Sequence, residues 1–283
     1  MIALCPNPYR DVDLEYTLKL YRMLSERNFI CRIYPVFESD TLPDRNLYSY
    51  DDINNLSSEC TLAVVIGGDG TILSCAANAY MKNIPIFGIN LGNMGFLSTC
   101  DPDDEKCFEY LLLAAEGKLR TCRRMMLDVT VHRNGECIVK RCVLNDAVIH
   151  GYGDCIDLTV LCGEIQTTHL FGDGIILSTP TGSTGYSMSA GGPIVEPGAD
   201  CIIISPICAH SLSARSFVFG VENRISVITG RLHDRNAYLS ADGNNCLDLQ
   251  NDDVITVCKS NNTITTFEIN DSSFYTTIYN KLS

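Results

Sequence analysis

The sequence predicts an α/β unit followed by an all-β unit: an N-terminal Rossmann-like, doubly wound α/β domain and a C-terminal β-sandwich-type domain. Three observations carry that expectation. Over the first hundred residues, short apolar runs alternate with segments whose apolar residues recur at helical spacing. After about residue 125, period-two alternation takes over, interrupted at short intervals by Gly, Asn and Asp. The length of 283 residues also suits two domains of ~100–200 residues better than one or three. The boundaries read from these changes are 1–98 for the α/β domain, with a tail at 270–283 returning to it, and 99–269 for the β-rich domain.

Taken in order, Ile2-Ala3-Leu4-Cys5 is a short strand stopped by Pro6-Asn7-Pro8, where proline removes ladder donors. Leu14, Leu18, Tyr21 and Leu24 recur at helical spacing between Asp11 and Arg27, and Cys31 to Tyr34 follows as a second strand. Thr61 to Ile66 is almost wholly apolar, as expected of a parallel strand buried on both faces. A helix over Thr71 to Met81 and a strand over Pro85 to Ile89 come next. A further helix runs from an acidic turn at Asp101 to Ala115. The basic stretch Lys118, Arg120, Arg123 and Arg124 reads as a solvated linker, with contact to a polyphosphate tail as the alternative. Leu127 to Val131 alternates cleanly, and Asn134-Gly135 marks a type I′ hairpin into Cys137 to Val139. Eight more strands are expected at Ile156–Cys162, Ile165–Phe171, Gly174–Ser178, Ile202–Ile204, Arg224–Ile228, Ala237–Ser240, Asp253–Lys259 and Ile264–Ile269. Phe274 to Leu282 is weakly helical. A ligand would sit most naturally in a crevice near the carboxyl ends of the parallel strands.

Composition narrows the function classes. Hydrophobic residues make up 46% and charged residues 19% of the chain, enough apolar material for packed cores. No apolar stretch approaches the ~20 residues of a membrane helix, and Met1 leads into Ile2-Ala3-Leu4 without a basic region, so neither a membrane span nor a signal peptide is expected. Twenty-one basic against 34 acidic residues give a net charge of −13, the wrong field for a nucleic-acid partner. An anionic substrate would then be held by local backbone dipoles and a metal ion. The fifteen cysteines form no C-x-x-C pair, and many occupy positions suited to Val or Ala. They read as small buried hydrophobes in a reducing cytoplasm, neither zinc ligands nor disulfides. The five histidines show no metal spacing, so no metal ligand is assigned, and His210 reads as a loop support.

The chemistry concentrates first at Val64-Val65-Ile66-Gly67-Gly68-Asp69-Gly70-Thr71. A buried strand ends in three glycines within four residues and a helix begins. Glycine lets the backbone turn and approach a ligand closely, and the N–H groups at the helix start suit phosphate. Gly67, Gly68, Gly70 and Thr71 are therefore candidate phosphate-binding residues. Asp69 would repel a phosphate, so it reads as the acceptor of a hydroxyl proton or as a cation ligand. The alternative is a plain strand-to-helix turn with Asp69 as its N-cap.

Gly67-Gly68-Asp69-Gly70-Thr71 resembles the loop shared by NAD kinases, 6-phosphofructokinases and the diacylglycerol and sphingosine kinases. Three further stretches resemble NAD kinases in particular: Gly88 to Leu97, the pair Asn145-Asp146, and Gly172-Asp173-Gly174 followed by Ser178 to Pro193. Ala209 to Arg215 and Ala241-Asp242-Gly243-Asn244 are weaker echoes. The matches run in order from residue 67 to 244. The resemblance implies phosphoryl transfer from ATP, or from polyphosphate, with Mg²⁺, to the 2′-hydroxyl of the adenosine ribose of NAD, giving NADP. It implies Asp69 as proton acceptor and Asp69, Gly70, Phe96, Asn145, Asp146, Asp173, Thr181, Thr184, Gly185, Tyr186, Ser187, Met188, Ser189 and Asn244 around the NAD. It also implies a homodimer or homotetramer built through the β-rich part. Three departures stand out. Asp146 occupies a position where many members carry Glu, Gly185 one where Ala is usual, and Phe171 one where some members place Arg. On the residues alone, Asn145-Asp146 could instead form an Asx turn, residues 178–187 a solvated loop, and Tyr186 part of a core. A lipid or sugar kinase of the same superfamily, and a non-catalytic dinucleotide sensor with the cysteines as its read-out, are the competing functions.

Overall fold

The computed structural model describes residues 1–39, 42, 43, 47–93, 95–211, 214–230, 232, 236–269 and 273–282. Met94, Leu212, Ser213 and His233 lie outside the described residues, as do residues 270–272 and 283 of the expected tail. The chain forms two compact units, Met1–Arg123 with Thr263–Ser283, and Arg124–Asn262.

The first unit is the expected parallel layer. It contains β1 (Ile2–Pro6), α1 (Glu15–Ser25), β2 (Cys31–Ile33), β3 (Leu62–Gly67), α2 (Asp69–Ala79), β4 (Ile86–Asn90) and α3 (Cys107–Ala115). The strands run parallel in the order β2-β1-β3-β4. Every residue of β1, β3 and β4 is buried, which explains their unbroken apolar sequences. Leu20 and Leu24 of α1 share one core with Leu4, Ile33, Val64, Ile66 and Ile89, while α2 packs on β3 and β4. α1 starts later than its apolar spacing suggests. A single 3-10 turn over Val12–Leu14 precedes it, and the Asp11 carboxylate accepts the N–H groups of Tyr16 and Thr17.

The division between units falls after Arg123, not after residue 98. The reason is α3, whose Cys107, Leu111 and Ala114 pack into the α/β core. The cysteine expectation needs correction at the same place: Cys100 and Cys107 form a disulfide, with Cα atoms 5.9 Å apart. The other thirteen cysteines are not in disulfides, and Cys137 and Cys208 are exposed. The basic stretch is the expected solvated linker only in its first half, where Lys118 and Arg120 are exposed between α3 and the next strand. Lys118 pairs with Glu116, Arg120 with Glu268, and Arg123 and Arg124 already belong to the next strand.

That strand, β5 (Thr121–Arg133), turns into β6 (Glu136–Val143). Asn134 and Gly135 have φ of 52° and 84°, the left-handed pair that a type I′ turn requires. The chain continues through β7 (Asp146–Gly151), β8 (Ile156–Cys162), β9 (Ile165–Gly172), β10 (Gly174–Ser178), α4 (Tyr186–Ser189), β11 (Cys201–Ile207), β12 (Phe217–Gly220), β13 (Ile225–Thr229), β14 (Ala237–Ala241), β15 (Asn244–Leu249) and β16 (Val254–Phe267). Two antiparallel layers result. One is six-stranded in the order β12-β11-β10-β7-β14-β15; the other joins β9, β8, β13 and the first part of β16. Ile149, Ile175, Leu177, Ile202 and Leu239 of the first pack with Leu127, Val129, Leu158, Val160, Val227 and Ile255. That is the core of a β-sandwich.

β7, β12 and β15 were not expected from the sequence. The two strands expected at Asp253–Lys259 and Ile264–Ile269 are one, because Ser260 Oγ accepts the Asn262 N–H and keeps the polar residues within the strand. α5 (Ser273–Leu282) closes the first unit, its Lys281 Nζ donating to Asn93 O at 3.0 Å. Among the described residues no helix is long and apolar enough to cross a membrane.

Candidate functional site

The site residues expected from sequence fall into two groups, one in each unit. In the first, Gly67 ends β3, Gly68 takes the cap position of α2 in extended backbone, and Asp69 is the first helical residue. The helix thus starts two residues before Thr71, and Asp69 is not its N-cap. Its carboxylate instead turns to the second glycine-rich loop, where Phe96 N–H donates to Oδ2 at 3.0 Å and Leu97 N–H to Oδ1 at 3.1 Å. Each oxygen keeps a further lone pair.

The two loops meet backbone to backbone. Leu91 N–H donates to Gly67 O at 2.9 Å, and a Cβ on Gly92 would lie 3.2 Å from Gly68 Cα. Asn90 fixes the loop's shape: its Oδ1 accepts from Gly92 N–H at 3.0 Å and its Nδ2 donates to Asp101 at 2.9 Å. Gly95, at φ +72°, supplies the left-handed turn before Phe96. Thr71 is buried and accepts from Asn7 Nδ2 at 3.0 Å, so it is a brace for the loop and its hydroxyl already has a partner. Over the loop lies a cavity of about 400 Å³, lined by Gly68 to Thr71, Gly92 and Asn93, and by Asn7, Arg10 and Phe37. Those last three were not singled out in the sequence. Their only signal is position, just past the carboxyl ends of β1 and β2.

In the second unit, Asn145 and Asp146 enter β7 over the Asp242 carboxylate, which accepts the N–H groups of Leu144, Asn145 and Asp146 at 2.8, 2.7 and 3.1 Å. Asp242 and Gly243 form the left-handed turn between β14 and β15, placing Asn244, which is exposed, at the start of β15. Burial, reinforced by the nearby Asp242 charge, pushes the Asp146 carboxyl up to about 7. Asp242 is also raised by burial, opposed by its three backbone donors.

The Ser178–Pro193 segment is not a solvated loop. Ser178, Thr179, Thr181, Ser183 and Ser187 are all buried. Thr179 Oγ1 donates to Leu144 O at 2.6 Å and accepts from Gly182 N–H at 3.0 Å, so the segment is clamped to the Asn145 turn. No side chain fits at Gly182, whose Cβ would meet Asn145 O. At Gly185 a Cβ would sit 3.2 Å from Gly182 O and 3.4 Å from Asn145 Nδ2. Ser187 Oγ lies 2.9 Å from Ser205 Oγ, a buried internal pair. Tyr186 and Ser189 are exposed, and Thr184, Gly185 and Met188 are half-buried. Tyr186, 42% exposed, is therefore not a core residue. Two side-chain atoms in this group are buried with no partner: Asn145 Oδ1 and Thr181 Oγ1. A buried polar atom without a partner costs free energy unless a ligand supplies one.

Asp173 lies at the crossing from β9 to β10, its carboxylate 3.7 Å from Cys155 Sγ. His210 lies 3.3 Å from the same sulfur and edge-on to Phe171. The loop-support reading of His210 fits that placement, and Phe171 takes part in the packing. Among the described residues no three His, Cys, Asp or Glu side chains are grouped to hold a metal ion.

A glycine loop at the carboxyl ends of parallel strands, combined with a β-sandwich carrying unpartnered amide and hydroxyl oxygens, defines a two-domain nucleotide-binding kinase. Comparison with known proteins makes the class specific. The family model for the ATP-NAD kinase N-terminal domain matches residues 2–111, and that for the ATP-NAD kinase C-terminal domain matches residues 144–269. The chain is 31% identical to an NAD kinase of Ruminiclostridium cellulolyticum across 99% of its length and 97% of the relative's. It is 34% identical to one of Acetivibrio thermocellus, covering 99% and 96%. A yeast NADH kinase solved with NADH has the same fold, with TM-score 0.85 and 24% identity over 99% of this chain and 86% of that one. An NAD kinase from Archaeoglobus fulgidus solved with ATP matches at TM-score 0.74 and 26% identity, covering 100% and 98%. The chain belongs to the NAD kinase family.

Proposed function

We propose that this chain transfers the terminal phosphoryl of ATP to the 2′-hydroxyl of the adenosine ribose of NAD, with Asp69 as the group that aligns the hydroxyl and takes its proton. Membership of the family makes the chain a kinase that phosphorylates NAD to NADP. The donor, the metal and the residue roles are our reading. The observation that carries it is the Asp69 carboxylate, held by two backbone N–H groups at a cavity floored with glycine amides.

A carboxylate is a weak base toward an alcohol, and in a loose phosphoryl-transfer transition state the hydroxyl proton leaves late. Alignment is then the main contribution of Asp69, and the bonds from Phe96 and Leu97 give it the required fixity. Gly67, Gly68 and Gly70 keep the backbone open to the donor's phosphates, and the start of α2 favours negative charge there. Mg²⁺ would arrive on those phosphates and neutralise charge on the migrating group, with Asp69 the one acidic side chain among the described residues lining the cavity.

On the NAD side, Asn145 Oδ1 and Thr181 Oγ1 offer unpartnered acceptors and Asp146 a carboxylate for ribose hydroxyls. Phe96, Asp173, Thr184, Gly185, Tyr186, Met188, Ser189 and Asn244 complete the binding surface. Ser187 belongs to it as a brace through Ser205. Polyphosphate as an alternative donor, a cytoplasmic location and a homodimer or homotetramer belong to the same reading.

Incubation with NAD and ATP, followed by an NADP-specific dehydrogenase assay, gives NADP. Asp69→Asn lowers kcat by roughly 10²–10⁴ with the KM for NAD little changed. The new amide can accept from only one of the two N–H donors, so the variant's thermal melt is recorded alongside. Near-normal turnover in a folded variant removes the proposed role.

A further inference from the structure

We infer that Arg10 binds the phosphate chain of the donor, and that its guanidinium is the side-chain counterpart of the glycine amides in the cavity over Gly68 to Thr71. The inference rests on the kinase reading and adds a residue to it. Arg10 lines the cavity together with Asn7 and Phe37. Its guanidinium makes no hydrogen bond or ion pair among the described residues.

Arg22 and Arg27 likewise pair with no carboxylate among the described residues, so what distinguishes Arg10 is its place at the cavity. With 34 acidic against 21 basic residues, internal counter-ions are plentiful, and Arg32, Arg120 and Arg133 each have one. Asp69, the one carboxylate among the described residues lining the cavity, is engaged by the N–H groups of Phe96 and Leu97. Among the described residues, Arg10 is the cation that lines this cavity, and its exposed side chain has no ion-pair partner there.

Its backbone is anchored on both sides. Asn7 donates to Thr71 of the glycine loop at 3.0 Å, and Asn7 O accepts the N–H groups of Arg10 and Asp11. Asp11 in turn caps α1 by accepting from Tyr16 and Thr17. A turn tied to the loop at one end and to a helix at the other fixes the Arg10 backbone at the cavity, from which its exposed side chain can reach a bound phosphate chain. A planar guanidinium matches two phosphate oxygens at once, which an ammonium does not.

The recognised chemistry is a phosphate chain, which a nucleoside triphosphate and inorganic polyphosphate share. Donor binding is measured by calorimetry on the full chain without NAD, separately with ATP plus Mg²⁺ and with polyphosphate plus Mg²⁺. NADP formation is measured in parallel. Arg10→Ala weakens binding of the donor, and raises its KM, by ~10–100-fold, Arg10→Lys recovers part of the loss, and the KM for NAD stays within about 3-fold. Loss with ATP alone identifies a nucleotide donor; loss with both identifies the phosphate chain as sufficient. Unchanged donor binding in Arg10→Ala, or a rise in the KM for NAD in place of that for the donor, overturns the inference. If wild type binds donor, the variant does not, and no NADP forms in either, the inference stands and the kinase reading fails. If NADP forms equally well in both at donor concentrations below the wild-type KM, the reading stands and the inference fails.

Discussion

Asp146 and Asp242 are two carboxylates buried beside one another, and they do not share the proton equally. Asp242 accepts three backbone N–H bonds, which favour its charged form, whereas the Asp146 carboxyl has no such donor among the described residues and is pushed up to about 7 by burial and by Asp242. The proton therefore resides on Asp146 at mildly acid pH. The sign for stability follows. An acid whose folded pKa lies above its unfolded value contributes stability that is full below pH ~4 and is lost as pH rises to about 7. Ribose hydroxyls donate best to the ionised carboxylate, so NAD affinity moves the other way. The Kd for NAD weakens by up to ~10-fold per unit as pH falls below about 7, and Asp146→Asn flattens the profile. Isothermal titration between pH 6 and 8 measures this, and a flat wild-type profile would show that Asp146 is not the titrating contact.

At the scale of an element, the glycine turn between β3 and α2 contains two kinds of glycine. A Cβ on Gly67 would collide with the Thr71 side chain, with Cβ and Cγ2 at 2.8 and 2.9 Å, while nothing lies within 4 Å of a Cβ on Gly70. Gly67→Ala therefore destabilises by ~1–3 kcal/mol, lowering Tm by about 2–12 °C. Gly70→Ala melts as wild type does and loses donor binding, because its methyl enters phosphate space. Scanning calorimetry on both separates the roles, and equal melting points would refute the steric distinction. The sequence made this turn legible because three glycines after a buried run have few other uses. It also made β1, β3 and β4 legible, since strands buried on both faces lack polar residues. β7 was harder, because Asp146 at its start reads as a turn residue and only Asp242, nearly a hundred residues away, satisfies its N–H. β15 begins Asn244-Asn245 directly after a turn, and its apolar alternation is confined to Leu247 and Leu249 at its end. The same distance in sequence hid Asp242's role and that of Asn7, Arg10 and Phe37. The Cys100–Cys107 pair is not legible in the sequence for a related reason: which thiols meet depends on how the loop before α3 is held.

At the scale of the whole molecule, a chain of net charge −13 must bind two anionic nucleotides. Glycine amides, the start of α2 and Arg10 supply a local field of the right sign, but the wider field opposes approach. A divalent cation carried on the donor removes two of its charges before binding. Mg²⁺ suits this use, since it keeps one or two carboxylates and several substrate phosphates as ligands and does not need a protein cage. No cage of three acidic, His or Cys side chains exists among the described residues. The cation would then be part of the substrate and would not hold the fold together. Two measurements test that division together. Chelation with EDTA abolishes NADP formation and re-added Mg²⁺ restores it, while the melting temperature of the substrate-free protein does not move on chelation. A protein that melts several degrees lower in EDTA carries a structural ion, and turnover that survives full chelation means that the amides and Arg10 neutralise the donor without a metal.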